Sequence, residues 1–224
     1  MKKAFTMIEL VFVLVVIGIL AATIIPRMRT NPLQEAAIQV LSHIRYTQHL
    51  AMIDDKFDAS DTNWYKKRWQ IVFSNAVTPN STVAYTIFAD TATAATSTYS
   101  GDADISEIAK NPENTLKLLT GGYGSSISSN HSQVTKKLNL ELSYGITSVE
   151  FNDGCDQGLR IAFDYLGRPM KGDLSGNASA YENDNLIRRD CTVKLIDGIE
   201  SISIKVEQET GFACILSSSG SECI

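Results

Sequence analysis

Between Phe5 and Ile25 the chain carries a single charged side chain, Glu9, in a run that Pro26 closes. No other stretch limits the fold as strongly. A segment that is apolar on every side has to leave water, either into lipid or against other protein. As a helix rising about 1.5 Å per residue, residues 5–25 cover roughly 30 Å, the thickness of a bilayer core. Lys2 and Lys3 precede the run, which favours a cytoplasmic N-terminus, but Arg27 and Arg29 follow it and compete. Charge alone therefore leaves the orientation open.

An ordinary secretory signal needs small residues at the first and third positions before its cut. A cut after Ala22 puts Leu20 in the third position, a poor fit. A plain anchor is equally at odds with Glu9, because a carboxylate in hydrocarbon is costly and usually functional. The stretch Lys2-Lys3-Ala4-Phe5-Thr6-Met7-Ile8-Glu9-Leu10 resembles the N-terminal signal of type IV prepilins and type II secretion pseudopilins. Val15 to Ala22 followed by Ile25-Pro26 is similar to that family's apolar segment. The resemblance implies cleavage between Ala4 and Phe5 by a prepilin peptidase and methylation of the new amine on Phe5. It also implies an assembly role for Glu9. The family more often has glycine where Ala4 stands.

The physics of Glu9 agrees with such a role. Cleavage leaves a cationic amine about one helical turn before the carboxylate. An unpaired carboxylate in apolar surroundings either neutralises or costs several kcal/mol. An amine from the same or a neighbouring subunit pairs it and sets the register between subunits. A Glu9 that merely snorkels to the interface is the plainer alternative.

Pro26 is expected to kink this helix rather than end it. Asn31-Pro32 is either a second interruption or a fresh start, with Pro32 at the first helical position. Leu33, Ala36, Ala37, Val40, Leu41, Ile44 and Ala51 then follow the spacing of an amphipathic helix. His43 and His49 on this stretch read as surface residues. Residues 54–67 read as a loop. Strands are expected around 69–73, 83–88, 138–142, 159–163, 191–196, 199–206 and 212–216, with turns at Asp197-Gly198 and Thr210-Gly211. Residues 90–133, rich in Ala, Thr, Ser and Gly, read as a flexible insertion.

The expected fold is thus α+β. It takes the form of the pilin fold the resemblance implies, a long N-terminal helix, half transmembrane and half amphipathic, packed on an antiparallel β-sheet. The expected parts are a leader (1–4), a transmembrane and assembly helix (5–26) with its kink at Pro26, an amphipathic continuation (27–55) and a β-rich periplasmic domain (56–224). Ile161-Ala162-Phe163-Asp164-Tyr165-Leu166-Gly167-Arg168-Pro169 and the closing Ile202 to Phe212 also resemble the GspH/FimT-like group.

The four cysteines, Cys155, Cys191, Cys214 and Cys223, lack zinc spacing. Behind an apolar N-terminus they point to disulfides in an oxidising compartment. A local Cys214–Cys223 bridge would leave Cys155 with Cys191, although four cysteines allow three pairings. No G-x-S-x-G elbow, phosphate loop or dinucleotide fingerprint occurs, so no enzyme is expected. Acidic groups at Asp102-Asp104, Asn152 to Asp156 and Glu182-Asp184 lack the spacing of a calcium loop, and no cofactor is expected. The net charge of −5 argues against a nucleic-acid surface, and Lys66-Lys67-Arg68 and Arg188-Arg189 are short runs.

The family resemblance implies a structural subunit of a type II secretion pseudopilus or type IV pilus-like filament, held in the bacterial inner membrane with a periplasmic C-terminal domain. Its partners would be other pilin-like subunits, the prepilin peptidase and an assembly platform. The alternative is a minor pilin that binds DNA in natural transformation.

Overall fold

A computed structural model describes residues 6–24, 31–75, 82–92, 98–122, 127–156, 158–182, 184–217, 220 and 222–224. The chain divides into two compact units, Met1–Asn31 and Pro32–Ile224.

The described part of the first unit is helix α1, Met7–Ile24. Thr6 starts it: its carbonyl accepts from the backbone N–H of Glu9 (3.1 Å) and of Leu10 (3.2 Å). Every described side chain from Thr6 to Leu20 is exposed, with no polar face. The second unit opens with α2, Pro32–Ile53. Proline suits this first helical position because the N–H it lacks would have no intrahelical partner. It also disfavours helical geometry in the preceding residue, and Asn31 is not helical.

These two helices correct the expected fold. The single long N-terminal helix is not seen. α1 ends at Ile24 and α2 begins at Pro32. Residues 25–30, and with them the kink expected at Pro26, lie outside the described residues. Among the described residues no helix is long and apolar enough to cross a membrane. The 18 residues of α1 reach about 27 Å, short of the roughly 30 Å hydrocarbon core.

Among the described residues, eight strands of the second unit form two four-stranded antiparallel sheets, and two more form a separate pair. One has the order β2 (Ala84–Ala89), β1 (Trp69–Ser74), β6 (Arg160–Phe163), β7 (Pro169–Lys171). The other has the order β10 (Ala213–Ile215), β9 (Ser201–Val206), β8 (Cys191–Ile196), β5 (Ser148–Asp153). Leu33, Ala36, Ala37, Val40 and Ile44 of α2 share one core with Ile71, Tyr85 and Phe163 of the first sheet and Val193, Leu195 and Ile204 of the second. Strands β8 to β10 fall where the apolar segments near the C-terminus predict them. Asp197 Oδ1 accepts from the backbone N–H of Ile199 (2.9 Å) and Glu200 (2.7 Å), closing the turn between β8 and β9.

Two expectations change. Leu138, Leu140 and Leu142 alternate like a strand but lie on a 3-10 turn, Lys136–Leu138, and a short helix α3, Leu140–Tyr144. Asn139 caps α3 by accepting from Leu142 N–H at 2.9 Å, and Gly145 ends it in the left-handed conformation. Local capping outweighs the alternation here. Residues 90–133, expected as a flexible insertion, hold in their described part strands β3 (Lys110–Asn111) and β4 (Asn114–Leu118). Ile108, Leu118 and Ile127 from this stretch pack with Val72, Phe88 and Val134 in a second apolar cluster.

Candidate functional site

The expected site residues fall in three places. Ala4 and Phe5 lie outside the described residues. Glu9 lies in the first turn of α1, where its backbone N–H also donates to Thr6 Oγ1 at 3.3 Å. A carboxylate there faces the positive end of the helix dipole. It is also the one charge on a helix whose described side chains are otherwise uncharged and exposed.

The four cysteines form two disulfides. Cys155–Cys191 joins the turn after β5 to the start of β8, neighbouring strands paired through Asp153 and Cys191. Cys214–Cys223 holds the C-terminal tail to β10, where Ile224 N–H also donates to Ile215 O at 2.9 Å.

The stretches 161–169 and 202–212 are brought together at the C-terminal half of α2. Gln48 Nε2 donates to Gly167 O and to Thr210 O, both at 2.8 Å. Asp164 organises the β6–β7 turn. Its Oδ1 accepts from the N–H of Leu166 (3.0 Å) and Arg168 (2.9 Å), and its Oδ2 accepts from Arg168 Nε (2.7 Å). Of the basic run 66–68, Lys67 pairs with Asp61 at 2.6 Å and Arg68 is buried, with its guanidinium 4.7 Å from the Tyr181 ring centre. Buried and paired cations of this kind support the fold instead of offering a free basic surface.

A cleft of about 490 Å³ runs beside α2 against the β3–β4 turn and α3. Its floor is a hydrogen-bonded chain. Tyr144 Oη donates to Gln39 Oε1 (2.7 Å), and Gln39 Nε2 donates to Tyr85 Oη (2.9 Å) and Lys137 O (2.8 Å). Tyr85 Oη then meets His43 Nδ1 at 2.5 Å. Burial lowers His43 from 6.5 to about 4, against a smaller opposing pull from Glu113. Burial likewise pushes the Tyr85 phenol far up, and burial followed by the Glu35 carboxylate raises Tyr144. The chain is therefore neutral at physiological pH.

Sequence spacing carried half of this site. Glu35, Gln39 and His43 stand four apart, on one face of α2. Their partners come from distant segments at 85, 111–113 and 137–144, which no local pattern connects. His43, expected on the surface, is half-buried by these contacts, whereas His49 is exposed. Elsewhere, burial pushes Asp90 up to about 6. No group of three or more His, Cys, Asp or Glu is arranged to hold a metal ion among the described residues. Comparison with known proteins gave no matching family model, no matching curated protein and no matching solved structure.

Proposed function

We propose that this chain is a structural subunit of a type II secretion pseudopilus or type IV pilus-like filament, assembled at the bacterial inner membrane after prepilin peptidase processing. The observation that carries the reading is α1: apolar on all described sides, exposed from Thr6 to Leu20, and charged only at Glu9. A helix with no polar face is stable in water only when other apolar surfaces cover it. Cleavage before Phe5 frees an amine near Glu9, and side-by-side packing of such helices buries their apolar faces while pairing amine with carboxylate. That pairing matters because a lone buried charge is costly. The two disulfides accord with a second unit in the oxidising periplasm.

The test is processing. Protein extracted from cells with the prepilin peptidase should have lost Met1 to Ala4 and gained one methyl group on Phe5, read as intact mass. The formal charge of −5 becomes two units more negative as Lys2 and Lys3 leave. An intact Met1 start in cells with and without the peptidase would overturn the proposal.

A further inference from the structure

Where β2 ends, Asp90 is 1% exposed, and its two carboxyl oxygens are treated differently. Oδ2 accepts from the Gly101 N–H at 2.8 Å, while Oδ1 is sealed in the interior with no donor among the described residues. Two further carboxylates close on the same segment. Asp173, after β7, lies over Gly101, where a Cβ would stand 2.3 Å from its Oδ2. Glu107 takes the Thr91 N–H through Oε1 at 2.8 Å and the Asp104 N–H through Oε2 at 3.0 Å. The Arg160 guanidinium on β6 donates to Gln70 Oε1 and Asp173 Oδ1, and Asp90 Oδ1 goes without it. Tyr99 lies within electrostatic reach of Asp90. Lys56 and Lys67 share a cleft wall with Asp90 but pair with Asp54 and Asp61.

A buried carboxyl short of donors costs far more ionised than neutral. We propose that Asp90 is a proton-operated latch: while it holds a proton it keeps residues 99–104 against the end of β2, and on ionising it releases them. Ionisation strengthens the bond from Gly101, but it also puts a charge in a sealed position beside two other carboxylates. Burial is the larger effect. It pushes Asp90 up to about 6, with Glu107 and Asp173 adding to the rise and Gly101 and Arg160 opposing it. In the released state Asp90 meets water and titrates near the ordinary value of about 4. The latched state therefore has its full advantage below about pH 4 and loses it as pH rises through about 6.

The test follows hydrogen exchange at the Gly101 amide of the full chain in detergent, corrected for its intrinsic rate, at pH 5 and pH 7.5. Wild-type protection should fall about tenfold between the two. Asp90→Asn, neutral at both, should keep its protection. The Ile87 amide, bonded to Leu119 O in the core at 2.9 Å, should not share the fall, which separates local release from global unfolding. In the wild-type chain the carboxyl carbon resonance of Asp90 should titrate near pH 6, a readout that needs no variant to fold. Gly101 protection that is equal at the two pH values, falls as far in Asp90→Asn, or falls in step with Ile87 would overturn the latch. So would an Asp90 carboxyl that titrates near the ordinary value of about 4.

Discussion

At the scale of single residues, Gly211 and His43 make the sharpest demands. Gly211 has φ +66, and a Cβ there would lie 2.5 Å from Gly167 O. Both the left-handed backbone and the backbone contact reject a side chain. Gly211→Ala should therefore destabilise the second unit by about 2–4 kcal/mol, seen as a clear fall in melting temperature. His43 makes stability depend on pH. It titrates near 6.5 when unfolded and, because it is buried, at about 4 when folded. Between those values the unfolded chain binds the extra proton, so the stabilisation is complete above about pH 6.5 and is lost as pH falls toward 4. The ceiling is about 3 kcal/mol, lowered by partial exposure. The groups around it are Tyr46 and Glu35 of α2, Tyr85 of β2, Glu113, Lys137 and Tyr144. His43→Gln should flatten the change in urea midpoint between pH 7 and pH 5. An unchanged pH slope would show that His43 is not the group responsible.

Among elements, the helix stripe and the disulfides carry the most. The stripe on α2 was legible in the sequence because Leu33 through Ala51 repeat with helical spacing, and the residues so marked are buried except Leu41, which is half-buried. The last three strands were legible for the same local reason. The pair Leu138 and Leu140 misled because alternation also fits two short turns of helix capped by Asn139. β7 escaped notice because its three residues begin with Pro169, and proline is a poor strand signal. The cleft was legible only along α2, since Tyr85 and Tyr144 reach it through tertiary packing. For the disulfides, the chain-entropy model assigns about 4 kcal/mol to the bridge spanning 36 residues and about 2–3 kcal/mol to the one spanning 9. Reduction should lower the melting temperature accordingly. Cys155→Ser with Cys191→Ser should lower it more than Cys214→Ser with Cys223→Ser. Non-reducing peptide mapping should recover 155 joined to 191 and 214 joined to 223; any other pairing would contradict the account.

For the whole molecule, the two units differ in how their apolar side chains are placed. Pro32–Ile224 has its own core, shared by α2 and the two four-stranded sheets. α1 has the opposite composition, since it presents apolar side chains that no described contact covers. Under the proposed assembly, packing through α1 would resolve that difference, and Glu9, the one charged side chain of α1, would set how neighbouring helices align. Glu9→Val removes the charge without touching the core of the second unit, so folding should be unchanged. The direct measurement is incorporation into filaments sheared from cells and collected by sedimentation. The account predicts wild-type chain in the pellet and Glu9→Val chain, folded and at normal cellular level, largely absent from it. Equal amounts of the two in the pellet, or no wild-type chain there at all, would contradict it.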